Sequence, residues 1–211
     1  MDTWEAINTI RVVREFSNEP ISDHDLTRIL NAGRRAGSSK NQQHWAFVVV
    51  RDPEHLRELS AVGRYANHLA GATVAIALVR PAEDAPRLYS ALWDLGRAAQ
   101  NMVLAAWELG IGSVPATVYD HELVGRLLGL PKDQVCDYLL SFGHPADPEK
   151  LTAPNKPGGR GVLNEIVIEE RRWLDSRRCG GQRGGSAAAG HALAEQPSAI
   201  ASGVPQFAGS M

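Results

Sequence analysis

The sequence predicts a layered fold of strands and helices, α+β or α/β in class. Three observations predict it: apolar runs of strand length, helix-period apolar stripes between them, and capping or glycine signals at the junctions. Trp4, Ile7, Ile10 and Val13 recur at helical spacing, so residues 2–14 read as a helix with one buried face. Ser22 with Asp25 three residues on fits a capping box. Leu26, Ile29, Leu30 and Ala36 continue a second helix, with Gly37 placed to stop it. Residues 45–50 read as a buried strand, and Asp52-Pro53 opens a third helix with proline at a tolerated first position. Ala72 to Val79 is a second apolar strand, closed by Pro81.

Leu88, Leu92, Leu95, Ala99, Met102, Ala106 and Leu109 keep a helical period up to Gly110. A helix apolar on several faces is central to its fold or shared across a subunit interface. A strand over Ser113–Tyr119, a short helix over Glu122–Leu128 before Gly129, and a strand over Val135–Phe142 follow. Asp147 to Gly161 reads as a long extended loop, and Val162 to Trp173 regains apolar and charged character. From Asp175 onward Gly, Ser and Ala make up more than half of the residues, and large apolar side chains lose periodicity. Such a segment buries too little surface to offset its ordering entropy. The expected organisation is therefore one folded domain, 1–174, and a disordered Gly/Ala/Ser-rich tail, 175–211; there is no internal repeat.

With 211 residues, 44% apolar and 22% charged, the chain is long enough for one sizeable core and has the composition of a soluble globular protein. A net charge of −2 speaks against a nucleic-acid partner, which would demand a basic stripe. No apolar run approaches the roughly 20 residues that cross a bilayer. The N-terminal Met1-Asp2-Thr3-Trp4-Glu5 is acidic and unlike a secretory signal. Two cysteines, Cys136 and Cys179, lie in unrelated contexts, so no disulfide and a cytoplasmic location are expected.

The polar segment Ser38-Ser39-Lys40-Asn41-Gln42-Gln43-His44-Trp45 lies between two core elements. Its hydroxyl and amide groups suit a polar planar ligand, although a plain connector would look similar. Arg11 and Arg14, three apart, read as neighbours on the last turn of the first helix; guanidinium forks suit phosphate oxygens, and a solvated helix face is the alternative. Arg160, within Gly158-Gly159-Arg160-Gly161, sits where glycines let backbone approach an anion. Gly110-Ile111-Gly112 follows a helix and lacks a third glycine, which excludes a dinucleotide fingerprint. No spacing suggests a metal site or a serine-hydrolase elbow. His24, His55, His68 and His121 read as surface residues, His44 and His144 as possible pocket residues. Asp94, midway along the long helix, is either exposed or placed for a purpose.

Taken in order, these segments resemble the nitroreductase family. The chain's Thr9-Ile10-Arg11-Val12-Val13-Arg14-Glu15-Phe16 is similar to that family's opening Arg-x-x-Arg-x-Phe. Ala36 to Trp45 resembles its Ser-Ser-x-Asn loop, and Asp94-Leu95-Gly96-Arg97-Ala98-Ala99-Gln100-Asn101-Met102 its central helix. Leu109-Gly110-Ile111-Gly112-Ser113 resembles the exit from that helix, and Gly158 to Val167 the closing Gly-Gly-Arg motif. The chain differs at Gly37, His44 and Val162, where the family often has proline, and at Val12, where serine is frequent.

The resemblance implies an α+β fold, a mixed sheet flanked by helices, and a homodimer with the long helix in its interface and FMN between subunits. Arg11, Arg14 and Arg160 would hold the phosphate and flank the flavin; Ser38, Ser39 and Asn41 would reach it from the other subunit. Pro115, Ala116, Thr117 and Val118 would run beside the isoalloxazine, with backbone groups near its reactive nitrogen. The implied activity is FMN-dependent NAD(P)H oxidoreduction, a ping-pong hydride transfer from nicotinamide to a nitroaromatic, quinone or enone acceptor. Arg14 would be the catalytic cation, offsetting negative charge at the N1–C2=O edge. Dehalogenation, deazaflavin-linked reduction, FMN fragmentation and non-catalytic flavin binding are the alternatives on the same fold.

Overall fold

A four-stranded sheet organises the chain, and its strand order determines which sequence motifs can meet. The computed structural model describes residues 1–82, 88–152 and 160–167. The chain divides into two units, Met1–Pro157 and Gly158–Met211. The expected boundary at 174/175, the tail 175–211 and Cys179 lie outside the described residues.

In the first unit the order is α1 (Thr3–Thr9), α2 (Asp23–Arg34), β1 (Ala46–Val50), α3 (Pro53–Leu59), β2 (Val74–Pro81), α4 (Leu88–Glu108), β3 (Gly112–Thr117), α5 (His121–Leu128), β4 (Gln134–Gly143) and α6 (Glu149–Thr152). The strands lie in the order β1-β2-β4-β3, all neighbours antiparallel. A parallel bridge between Val12 and Ser113 makes the sheet mixed at its β3 edge. In the second unit α7 (Leu163–Ile166) is a single short turn.

The helix starts follow from local chemistry. The Asp25 N–H donates to Ser22 Oγ at 3.0 Å, as the capping pattern predicts. The carboxylates of Asp2, Asp52 and Asp120 accept from Glu5, His55 and Leu123 N–H groups at 2.8 Å each. Helix α5 closes at Gly129 with φ +62, a left-handed position that glycine takes without steric cost.

Strand β2 is buried on both faces, which explains its unbroken apolar run. On one face Val50, Ala77, Ala116 and Leu139 pack with Leu56 and Leu59 of α3 and Val124 of α5. On the other Ile76, Leu140 and Phe142 pack with Ile29 of α2 and with Leu95 and Met102 of α4. Gly33 lets α2 approach α4 closely: a Cβ there would lie 2.1 Å from the Met102 Cε. A register shift at Leu78/Val79 leaves Asp137 as the extra residue of a bulge, where it pairs with the buried Arg80.

Several expectations are corrected. The first helix ends at Thr9, not near residue 14, so Arg11 and Arg14 do not share a helical turn. The β-branched Ile10, Val12 and Val13 disfavour helix, and the chain instead runs extended along β3. Helix α2 stops at Arg34, ahead of Gly37; Gly37 lies against the Arg97 guanidinium. Strand β1 is a sheet edge with only Val50 buried, not a buried strand. The supposed loop after Asp147 contains α6, and 3₁₀ turns at Ser39–Asn41 and Asn67–Gly71 carried no sequence signal. His68, expected at the surface, is buried.

Candidate functional site

The extended segment after α1 brings two arginines to the outer edge of β3. The Val13 N–H donates to the Ser113 carbonyl at 3.0 Å, and the Val13 side chain fills the space a Cβ at Gly112 would occupy. This fixes the backbone between Arg11 and Arg14. Arg11 Nε donates to the Thr9 carbonyl at 3.3 Å, and its guanidinium lies 5.9 Å from the centre of the Trp107 ring. Trp107 is itself held by Thr9, its Nε1 donating to Oγ1 at 3.0 Å. Arg14 is exposed.

Along β3, Val114, Ala116 and Val118 point into the core while Pro115 and Thr117 are exposed. Strand alternation turns the backbone groups of Ser113, Pro115 and Thr117 outward, away from β4. A cavity of about 200 Å³ opens beside Pro115, lined by Leu92, Leu95, Gly96 and Ala99 of α4 and by Tyr138 of β4. The turn after α3 closes the far end: the N–H groups of Tyr119 and Asp120 donate to the Val62 carbonyl at 2.8 and 3.0 Å. Gly63 is obligatory there, since a Cβ would lie 2.2 Å from the Thr117 oxygen.

The polar loop lies at the other edge, leading into β1. Asp94, buried in α4, accepts the Ser39 N–H at 2.9 Å and stands 3.9 Å from the Arg97 guanidinium. Ser38 Oγ accepts the Gln43 N–H at 3.1 Å, and Gln43 Nε2 donates to Asn41 Oδ1 at 3.1 Å. Lys40, Asn41 and Gln43 all have positive φ, near +50 to +56. These bonds hold the loop in an otherwise unfavourable backbone path and leave Ser39, Lys40 and Asn41 exposed. His44 stays within its own loop, bonded to Gln42 Oε1 at 3.2 Å.

The structure therefore pairs the Arg11–Arg14 segment with one edge strand, β3, while the loop holding Ser38, Ser39 and Asn41 leads into the other, β1, and is tied to α4 through Asp94. Arg160 is exposed and belongs to the second unit.

His68 was missed by the sequence reading. Its Nδ1 lies 2.8 Å from Ser141 Oγ, and Ser141 donates to the Val114 carbonyl at 3.2 Å. Burial, and secondly the Arg14 charge, lower its pKa below the ordinary histidine value. The partner that would have marked it is 73 residues away. Cys136 is buried and inert in the same sheet: desolvation first, then Asp137, pushes its thiol up to about 12.

A model of the nitroreductase family matches residues 9–64 and 60–144. A provisionally named NADH dehydrogenase/NAD(P)H nitroreductase of Archaeoglobus fulgidus is 37% identical over 149 residues, spanning 68% of this chain and 85% of its own. The NADH dehydrogenase of Thermus thermophilus is 30% identical over 202 residues, spanning 80% of this chain and 96% of its own. A provisionally named nitroreductase of Desulfovibrio desulfuricans, crystallised in complex with FMN, superposes with a TM-score of 0.67 at 29% identity, over 81% of this chain and 98% of that one.

Proposed function

The chain belongs to the nitroreductase family, and from that premise we propose that it is an FMN-dependent NAD(P)H oxidoreductase acting on nitroaromatics, quinones or enones. The observation that carries this reading is the pairing of the Arg11–Arg14 segment with β3, the strand that holds Pro115–Thr117. The residues present fit the cofactor. Guanidinium groups suit its phosphate, and an exposed strand edge offers backbone groups to its planar ring.

When bound, FMN supplies the hydride chemistry. Arg11 binds phosphate in this reading, and Arg14 sets a positive charge beside the ring edge; for Arg160 a phosphate role rests on its motif alone. Thr117 presents its backbone N–H to the ring, Pro115, which has none, lines it, and Ala116 and Val118 anchor that strand in the core. No side chain acts as a nucleophile. Ser38, Ser39 and Asn41 complete the site from the partner of a homodimer, a reading supported by their loop leading into β1, the edge of the sheet opposite β3. The exposed Tyr89 and Trp93 of α4 and Trp4 of α1 supply apolar surface for that dimer. Residues 1–174 form the flavin-binding domain, with 175–211 outside it. Among the described residues no helix is long and apolar enough to cross a membrane, and the proposed setting is the cytoplasm.

An absorbance spectrum of the purified protein, followed by anaerobic addition of NADH or NADPH, tests the reading. A yellow protein bleached by either nicotinamide and recoloured by a quinone or nitroaromatic is expected. A colourless protein that fails to take up added FMN would sink it, and bound flavin without turnover would leave only the binding role.

A further inference from the structure

Gly37 stands where the family often has proline, and the fold gives that departure a physical reason. Its φ is not positive, so the turn itself does not call for glycine. A neighbour does. A Cβ built on Gly37 would lie 2.7 Å from Nη2 of Arg97, 3.2 Å from Nη1 and 3.3 Å from Cζ. The Arg97 guanidinium fills the space that the Cβ of any other residue, proline included, would need.

The same guanidinium stands beside Asp94, one turn back on α4, with Nη1 at 3.9 Å from Oδ1. The Asp94 side chain is 8% exposed and that of Arg97 50%. Asp94 Oδ2 accepts the Ser39 N–H at 2.9 Å. Among the described residues Oδ1 has no hydrogen-bond donor, and Arg97 is the one cation within 4.0 Å of it. A carboxylate so enclosed is unfavourable unless charge or donors oppose it. The loop above depends on that carboxylate. Lys40, Asn41 and Gln43 all take positive φ, which residues other than glycine keep only where their surroundings impose it.

We propose that Arg97 is a positioning residue for the Ser38–Asn41 loop: seated in the space that Gly37 leaves open, its charge keeps the Asp94 carboxylate in place to accept the Ser39 N–H. Glycine at 37 thus serves the cation and not the turn. The series Gly37, Arg97, Asp94, Ser39 links the middle of α4 to the segment that offers Ser38, Ser39 and Asn41. That these residues meet flavin rests on the functional reading above; the series itself does not.

The test compares the unmodified full chain with Gly37→Ala, Arg97→Lys and Arg97→Met. Lysine keeps a point charge on a long stem, which suffices where no bidentate bond is made; methionine keeps apolar bulk and no charge. Alanine at 37 leaves the charge in the protein and displaces it, and the atoms it meets are the end of a flexible side chain, so the fold survives. Amide exchange at Ser39–Asn41 is read without flavin, and FMN dissociation constants are read by flavin fluorescence. R97M and G37A should each quicken that exchange and weaken FMN binding about fivefold, and R97K should stay within about twofold of the unmodified chain. In the double variant G37A/R97M the two losses should not add, because the same cation is lost only once. Unchanged exchange in R97M or G37A, R97K no better than R97M, or additive losses in the double variant would overturn the proposal. If the unmodified chain binds no FMN, the functional reading fails, and the exchange rates alone decide the role of Arg97.

Discussion

Asp94 shows how one side chain fixes a distant loop. It is buried in α4 and accepts the Ser39 N–H, which no helix or strand would otherwise satisfy. Asp94→Ala should leave α4 formed and cost about 1–3 kcal/mol in loop order. Amide exchange at Ser39–Asn41 should quicken, and FMN affinity should fall about tenfold; unchanged exchange would deny the anchor. At Cys136 the expectation is chemical silence. With a thiol pushed up to about 12 and no exposure, Cys136 in a Cys179→Ser background should resist alkylation by a maleimide near pH 8 until the chain is denatured. At this scale a motif that runs along the chain marks Ser38, Ser39, Asn41, Arg11 and Arg14 as candidates, whose role belongs to the proposal, and the place of Asp94 in a helix marks it for the buried anchor it proves to be. His68 was not legible, because its partner Ser141, which in turn bonds Val114, meets it only in the folded sheet.

Elements were legible where propensity and burial agree. The buried β2, the long α4 and the Ser22-capped α2 all follow from the pattern of residues. The reading failed where a strand edge competed with a helix. Ile10 to Arg14 continues the apolar period of α1, yet pairing with Ser113 wins over a helix that β-branched residues weaken. That pairing depends on Gly112. A methyl group there would lie 2.6 Å from the stiff Val13 Cβ, so Gly112→Ala must push the Arg11–Arg14 segment off the sheet. The expected cost is about 1–3 kcal/mol in urea denaturation, with weaker FMN binding alongside. A stable variant of unchanged affinity would show that this segment does not hold the cofactor.

For the whole molecule, the order β1-β2-β4-β3 is the governing fact, and it was invisible in the sequence because pairing across the sheet is not periodic. It places β3, with the arginine segment, and β1, into which the Ser-Ser-Lys-Asn loop leads, at opposite edges, which supports the proposal that a second chain completes the site. The exposed face of α4 offers the means: Trp93 is 71% and Tyr89 87% exposed. Trp93→Glu should shift a dimer toward monomer by light scattering and release flavin with it, since a charge in an apolar interface is unfavourable. A variant that stayed dimeric and yellow would place the interface elsewhere.

The proposed division of the cradle between two chains has a genetic consequence. Under the proposed dimer, Arg14→Ala damages the half that a chain keeps for itself, and Asn41→Ala the half that it lends. Neither strain alone should show flavin-dependent turnover. Expressed together in equal amounts, the two proteins should form mixed pairs in which one cradle inherits both lesions and the other inherits none. Random pairing then returns about a quarter of the intact sites, as two-fold symmetry demands. Crippled alleles would rescue each other, which a self-contained active site does not permit.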